Sequence, residues 1–587
     1  MPREPRRGDG QGGMGNRGGG SGERRADRAG GVLVLGAALV GLLPVGAALA
    51  QTVPRNLPGA VEPGRDRPLP QPPAENNFDF NIETPRRSPV PRAVDELRFQ
   101  LKGIDVTGAT VFTPEELRPL WEPLIGKEVS LGDILNIADE IEAKYRARGY
   151  IITRAYVPPQ RVANGVFTIN VVEGYVHGVA VEGGDSGVRD LITSYAQPVL
   201  ASKPLELAPM ERALLLSNDL PGVSAAGLLR PAPDQPGASD LAVNVDEQPI
   251  TGGLNADNRG SKFTGQWTLG GDVEWNSPLH QGDQLGLNIQ SSPQPSQRIQ
   301  GGARYQHPIG TDGLTGSFSF LTSRGAPSGI PGADLTTDST AYGPRLSYPV
   351  IRTREQSFYL DGGFTVQDAT VNVLGGQVFS HDKWRVADLA ATYTQSGFWA
   401  GNSSATLDLA QGLTILGATG DGDPELSRPG AKTDFTKVTG SLRRIQVLTG
   451  PVTLALNAQG QYAFAPLVIG EQITFGGNQI GRGYDPSALS GDHGLGGSAE
   501  LRYDMHFDEY YVPTAQPYVF FDTAKIWDRV DNSGGGLAIA STGGGIRLTL
   551  PRNVSLGVEG ARTLKAVPGS DSGHEATKVL FNAAVRF

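Results

Sequence analysis

The stretch GGNQIGRGYDPSALSGDHG, residues 476–494, sets one arginine, Arg482, among glycines and small polar residues. Glycine-rich loops of this kind can cradle phosphate, but the P-loop lysine is missing and the spacing of Gly481, Gly483 and Pro486 breaks the dinucleotide fingerprint. Nucleotide binding is unsupported, so the arginine needs another use. Other chemistry is equally thin. The seven histidines are scattered, His574-Glu575 has no second histidine at helical spacing, and no G-x-S-x-G elbow occurs. Asp421, Asp423 and Glu425 resemble the opening carboxylates of a calcium loop, but the rest of such a loop is absent and the stretch reads as solvated and external. With no cysteine in 587 residues, thiol redox chemistry and Cys-based metal sites are excluded. The chain reads as a non-enzyme without cofactor or metal, and nothing in it calls for a nucleic-acid partner.

What must position Arg482 is read from the elements around it. Arg24, Arg25 and Arg28 precede the apolar run GGVLVLGAALVGLLPVGAALA, which ends in an A-x-A site before Gln51. We read residues 1–50 as a secretory signal cleaved between Ala50 and Gln51; a membrane anchor is the alternative, and Met14 is a second candidate start. No other stretch approaches 18 apolar residues, so any later membrane crossing must use strands. Residues 51–95 carry Pro54, Pro58, Pro63, Pro68, Pro70, Pro72, Pro73, Pro85, Pro89 and Pro91 among charges, a composition expected of a solvated linker.

From residue 96 the pattern is mixed. FQLKGIDVTG alternates like a strand; Thr113, Pro114 and Glu116 form a capping box ahead of a helix; Ser130 and Asp133 open a second one. That second helix sets Ile134, Ile137, Ala138, Ile141 and Tyr145 on one face and stops at Arg148-Gly149. IITRAYVPP and GVFTINVVEG follow as two strands around Asn164-Gly165, completing a β-α-α-β-β unit over 96–175. A weaker second copy is expected over 176–249.

From residue 250 onward dyad alternation takes over. QWTLGGDVEWN sets Trp267, Leu269, Val273 and Trp275 on one face. In SAELRYDMHF, Ala499, Leu501, Tyr503, Met505 and Phe507 alternate with Glu500, Arg502, Asp504 and His506. Alternation alone does not separate a soluble sandwich from a membrane barrel. The signal sequence, the alternation of short turns with long polar loops, and the aromatic ending KVLFNAAVRF favour an outer-membrane barrel closing on Phe587.

Taken together, a signal sequence, a proline-rich tether, two β-α-α-β-β units and a C-terminal barrel resemble the ShlB/FhaC/HecB group, the TpsB outer-membrane transporters of two-partner secretion in Gram-negative bacteria. FQLKGIDVTGATVF and INVVEGYV are similar to the start and end of that family's first POTRA domain, and NADNRGSKFTG with NSP and GD after it to its first barrel hairpin. GGNQIGRGY followed by SGDHG resembles its long inward-folded loop motif, usually written VRGY, of which Arg482, Gly483 and Tyr484 match. The resemblance implies α+β periplasmic POTRA domains followed by an all-β transmembrane barrel of sixteen antiparallel strands. It also implies that the loop arginine pairs with the aspartate of an F-x-D-x-G strand motif. The matching stretch YVFFDTAKIW supplies Phe520 and Asp522, with Ala524 in place of the motif's glycine.

The function so implied is export of a large secreted partner, a TpsA-type haemolysin or adhesin, across the outer membrane. By the same resemblance, POTRA strand edges would accept the partner's extended chain, with Ile151, Ile152, Arg154 and Tyr156 as candidates. The remaining partners would be outer-membrane lipid and the barrel-assembly machinery that inserts the protein. Two other classes stay open: an assembly factor of the BamA/TamA type, which usually carries three or more POTRA domains, and a passive channel, which needs none.

Overall fold

In the computed structural model the described residues are 79–82, 98–162, 164–232, 235–329, 334–373, 375–508, 512–530, 536–567 and 576–587. All lie in one compact unit. The signal region, with its Ala50/Gln51 cleavage site, and most of the proline-rich segment fall outside them.

One part of that segment does not behave as a solvated linker. Asp79–Ile82 form a strand, β1, because Phe80 and Ile82, two residues apart, present one apolar face that a neighbouring sheet edge half-buries. This corrects the expectation of a spacer running unbroken to residue 95.

The first α/β unit contains β2 (Arg98–Gln100), β3 (Gly103–Thr107), β4 (Glu128–Ser130), β5 (Arg154–Tyr156) and β6 (Val166–Val172). Its sheet runs β3-β6-β5, with β2 and β4 paired separately. Both capping boxes form as expected, at Thr113/Glu116 and Ser130/Asp133. The helix Leu131–Ala147 buries Ile134, Ile137, Ala138, Ile141 and Tyr145 against Phe167, Ile169 and Val171 of β6. At about 1.5–3 kcal/mol for each large apolar side chain removed from water, this face is the main stabiliser of the unit. Glu173 ties its ends together, accepting hydrogen bonds from the Val111 amide at 3.0 Å and the Tyr145 hydroxyl at 2.6 Å. Partial burial alone would raise the Glu173 pKa; hydrogen bonds led by that from the Thr110 hydroxyl outweigh it and hold the carboxylate below its ordinary range.

The second unit comprises β7 (Tyr175–Gly183), helices Ser186–Tyr195, Gln197–Ala201 and Leu207–Asn218, β8 (Val223–Pro231) and β9 (Ala238–Glu247). Its sheet order is β1-β8-β9-β7, so the strand from the proline-rich segment caps an edge. The short Gln197–Ala201 helix was not expected, since five residues give too little periodicity to recognise.

The barrel opens with β10 (Ile250–Asp257), β11 (Thr268–Asn276), β12 (Gln284–Ser291), β13 (Ile299–Ile309), β14 (Leu314–Gly325), β15 (Leu335–Arg352), β16 (Gln356–Val373) and β17 (Gln377–Gln395). It continues through β18 (Gly401–Gly412), β19 (Thr436–Thr449) and β20 (Val452–Ala463). A ribbon, β21 (Ile473–Phe475) and β22 (Leu489–Gly491), interrupts the sequence of wall strands. The wall resumes with β23 (His493–Tyr503), prolonged by β24 (Met505–His506), and ends with β25 (Thr514–Trp527), β26 (Leu537–Leu550), β27 (Val554–Thr563) and β28 (Thr577–Arg586). Counting β23 and β24 as one strand, sixteen antiparallel strands close where β28 pairs with β10. Phe587 completes the seam through reciprocal backbone hydrogen bonds with Gly252, both 3.0 Å. A closed wall satisfies every ladder amide internally, which lipid requires.

The alternation resolves as a membrane wall. Trp267, Leu269, Val273, Trp275, Leu501, Tyr503, Met505 and Phe507 are exposed on the outside, whereas Glu500, Asp522 and Glu559 are buried inside. Among the described residues no helix is long and apolar enough to cross a membrane. Here the crossing is made by strands.

Candidate functional site

The 29 residues between β20 and β23 turn into the barrel. The β21–β22 ribbon pairs Ile473 with Gly491 and Phe475 with Leu489, and its apolar side packs with Ile480 against Ala524, Ile526 and Ile539 of the wall. Backbone geometry at the tip demands glycine. Gly481 has φ +89°, and a Cβ there would sit 2.6 Å from Ile539 Cδ1. A Cβ on Gly483 would press to 3.1 Å against the backbone of Arg562 and Thr563. The glycines thus let the loop backbone lie directly on the wall.

Arg482 is carried on that backbone into a fully enclosed set of acids. Its Nε and Nη2 donate to the two oxygens of Asp522 on β25 at 3.1 and 2.9 Å, a bidentate fork. The amides of Gly481 and Arg482 add two further bonds to Asp522 Oδ2, at 3.2 and 3.1 Å. Nη1 reaches Glu500 on β23 at 2.6 Å and Glu559 on β27 at 3.3 Å, and Nη2 reaches Ser498 Oγ at 3.1 Å. The guanidinium carbon lies 3.5 Å from the centroid of Phe520, which supplies a cation–π face. Arg482, Asp522, Glu500 and Phe520 are each 5% exposed or less, so none of these bonds competes with bulk water.

The surrounding charges are also paired. Glu500 accepts from Arg502 at 2.7 Å and Arg547 at 2.8 Å; Glu559 accepts from Arg259 at 3.2 Å and from the Tyr518 hydroxyl at 2.8 Å. Tyr484 pins the far side of the loop, donating to the carbonyl of Ala540 or Lys565 at 2.9 and 2.6 Å. The arrangement offers no nucleophile aimed at open space and no proton-transfer pair, and among the described residues no cluster of His, Cys, Asp or Glu could hold a metal. Chemically it is an anchor: it fixes a long polar loop at one height in the lumen.

The expected pairing of Arg482 with Asp522 is therefore present in the geometry, with Phe520 stacked on it and Gly483 and Tyr484 seating the loop. Ala524 in the glycine position of the strand motif packs into the apolar cluster under the ribbon. Of the residues expected on the strand edge, Arg154 and Tyr156 lie in β5, whose outer side is unpaired among the described strands. Ile151 and Ile152 do not. They sit in the turn before β5 and pack onto the core of the second unit, because two adjacent branched residues gain more from that apolar neighbour than from an exposed edge.

Comparison with known proteins follows the same lines. The model of the haemolysin secretion/activation protein family ShlB/FhaC/HecB matches residues 237–548, more than half of the chain. The chain belongs to the ShlB/FhaC/HecB family. The ShlB-type POTRA model matches residues 99–174. Among curated relatives, the haemolysin transporter ShlB of Serratia marcescens is 27% identical over 449 residues, covering 74% of this chain and 77% of its own. The heme/hemopexin transporter HuxB of Haemophilus influenzae is 25% identical over 417 residues, covering 67% and 70%. The solved structure of CdiB from Escherichia coli superposes with a TM-score of 0.66 at 21% identity, over 88% of this chain and 94% of that one. BamA from Haemophilus ducreyi, lacking POTRA domains 1–3, gives 0.51 at 14% identity, over 83% of this chain and all of that one, a likeness of fold alone. As a member of this family the chain is an outer-membrane two-partner secretion transporter, a translocator and not an enzyme, with its POTRA region in the periplasm.

Two features of this ShlB-family barrel escaped the sequence. The loop 413–435, expected to be solvated, folds back over the lumen: Leu426, Ala431 and Phe435 join Trp384, Val386 and Leu467 in a buried cluster. Arg428 latches it, donating to Asp492 at 2.7 Å and Asp528 at 3.2 Å. Only its first half matches the expectation, where Asp421 is half-exposed and pairs with Lys432. The other feature is the docking of the second unit on the periplasmic rim. Arg352, at the end of β15, forks onto Asp219 at 2.8 and 2.6 Å, and the Tyr359 hydroxyl adds 3.2 Å. Asp219 caps the C-terminus of the helix Leu207–Asn218, where a cation is also favoured by the helix dipole.

Proposed function

We propose that this transporter exports one large TpsA-type exoprotein, which it receives unfolded in the periplasm and passes through the barrel. In this reading residues 96–175 and 176–249 are the two POTRA domains, 250–587 the barrel, and 51–95 the segment joining a cleaved signal to them. The relatives named as haemolysin transporters support a cargo of this kind. The single observation that carries the reading is the loop of residues 464–492, anchored inside the lumen through Arg482 by a bidentate bond to Asp522. An anchored loop shapes a path for a polypeptide, whereas a small-solute pore needs neither the loop nor the POTRA units.

Capture begins at the first POTRA domain, where β5 offers an open edge carrying Arg154 and Tyr156, the latter 47% exposed. Beside it opens a groove of about 810 Å³ lined by Phe99, Leu131, Leu135, Val157 and Pro159, which suits the apolar side chains of an unfolded chain. Folding of the emerged cargo outside the cell biases motion outward without a nucleotide. Phe587, its backbone locked at the seam, closes the barrel that the assembly machinery inserts into outer-membrane lipid.

Comparing culture supernatant and outer membrane with and without the gene tests this. One large protein is expected to vanish from supernatant or cell surface. Depletion of many outer-membrane barrels would instead assign an assembly role, and no change in either fraction would leave a passive channel.

A further inference from the structure

We propose that the outer edge of β8 is a second docking edge for extended polypeptide, held in the resting protein by the chain's own β1, and that a segment of the exported chain takes it by strand exchange. The inference rests on the export reading above and names where in the second POTRA unit the cargo is held.

The geometry of β1 is that of a resident ligand. It pairs in parallel with β8 over four positions only, Asp79 with Ala226 through Ile82 with Leu229. β8 itself runs nine residues, Val223–Pro231, and pairs with β9 along its whole length on the other side. Among the described residues no other strand pairs with the outer edge; at one end of β1 the Asn218 side chain satisfies the Ala225 amide and carbonyl, at 2.8 and 2.9 Å, and at the other Arg230–Pro231 have no described strand partner on that side. An incoming strand can pair at the Arg230–Pro231 end first and then displace β1 residue by residue.

Side chains make the edge selective. Phe80 packs onto the core of the second unit, over Gly227, where a Cβ would lie 2.8 Å from Leu214 and 3.3 Å from the Phe80 ring. The missing side chain at 227 thus leaves a seat for an aromatic ring. Ile82 is half-buried on the same face, while Asp79 and Asn81 point to solvent. A fitting ligand is an extended segment with an aromatic and a branched apolar residue two positions apart. Pro73 and Pro85 flank the resident strand in sequence, and since proline has no amide to continue a ladder, they bound how far it can extend. A strand that covers an edge so briefly shields it from aggregation and still leaves it open to exchange.

The test uses the full-length protein, whose lack of cysteine makes any engineered pair unambiguous. Asn81→Cys with Leu228→Cys places two thiols on register partners of adjacent strands, within disulfide reach. A fluorescent peptide of residues 75–84 is then titrated against the detergent-purified protein. Binding at least tenfold tighter to the Phe80→Asp/Ile82→Asp variant than to wild type is expected, with none to the oxidised cysteine pair. Failure of the variant to bind the peptide would overturn the docking edge, whatever the cargo. In cells, oxidation of the cysteine pair is expected to cut export at least fivefold and reductant to restore it. Undiminished export by the oxidised form, in a strain where deletion of the gene does abolish it, would overturn the exchange step while leaving the export reading intact. If deletion leaves every secreted protein in place, the export reading fails, and the peptide titration still decides the edge.

Discussion

Arg482→Ala is expected to lower export of the partner at least about tenfold while a heat-modifiable barrel still reaches the outer membrane. The two halves follow from different bonds. The wall is held by the ladders of sixteen strands, none of which involves the Arg482 side chain. The loop, by contrast, loses its fork to Asp522 and its bonds to Glu500 and Glu559. Glu500 keeps Arg502 and Arg547, and Glu559 keeps Arg259, so the group left without a counter-charge is Asp522. Removing one partner of a buried ion pair costs about 3–5 kcal/mol, and even a third of that shifts a seating equilibrium about tenfold. Arg482→Lys is expected to fall between, since an ammonium cannot fork onto a carboxylate while reaching two further acids. Secreted partner quantified beside gel-shifted barrel checks both halves. Normal export by a correctly inserted alanine variant would remove the loop anchor from the account.

A second large effect is expected at the periplasmic rim. In Arg352→Ala, Asp219 loses a two-bonded partner that is completely buried, at a cost of about 3–5 kcal/mol to docking of the second POTRA unit. What remains is weaker: the Tyr359 hydroxyl on Asp219, Arg212 to the carbonyls of Asp312 and Pro349, Arg354 to Glu211, and the solvent-exposed pair of His280 with Asp185. The unit should therefore swing on the Gln248–Pro249 connection without unfolding. Hydrogen exchange would report it as faster amide exchange in the turns 277–283 and 353–355 with unchanged protection of the Leu207–Asn218 helix core, and export should fall severalfold. Unchanged exchange at those turns would show that Arg352 does not set the orientation.

How much of this was legible depends on whether a residue's neighbours are near in sequence. Capping boxes and the dyad faces of SAELRYDMHF lie within a few residues of themselves, and both appear in the fold as read. Arg482 and Asp522 are 40 residues apart and were joined only through a family resemblance. Glu500, Glu559 and Ser498 were missed as partners because every second wall residue faces the lumen, and nothing local separates the three that meet the arginine from the others. Arg428 was missed for a related reason: its loop has the composition of a solvated segment, and only the fold brings Asp492 and Asp528 to it. Ile151 and Ile152 misled because branched residues favour both strands and interdomain cores. Phe80 was overlooked among prolines, where four ordinary residues carry little signal.

The most direct measurement is photo-crosslinking during active export, with a photoreactive residue at Gln459 in one strain and at Leu456 in another. Both lie on β20, Leu456 on the exposed outer face and Gln459 on the opposite one. The account predicts that the Gln459 position captures one large secreted polypeptide and that the Leu456 position captures none of it. No adduct at Gln459, or adducts with many different outer-membrane barrels, would contradict passage of a dedicated cargo through the lumen.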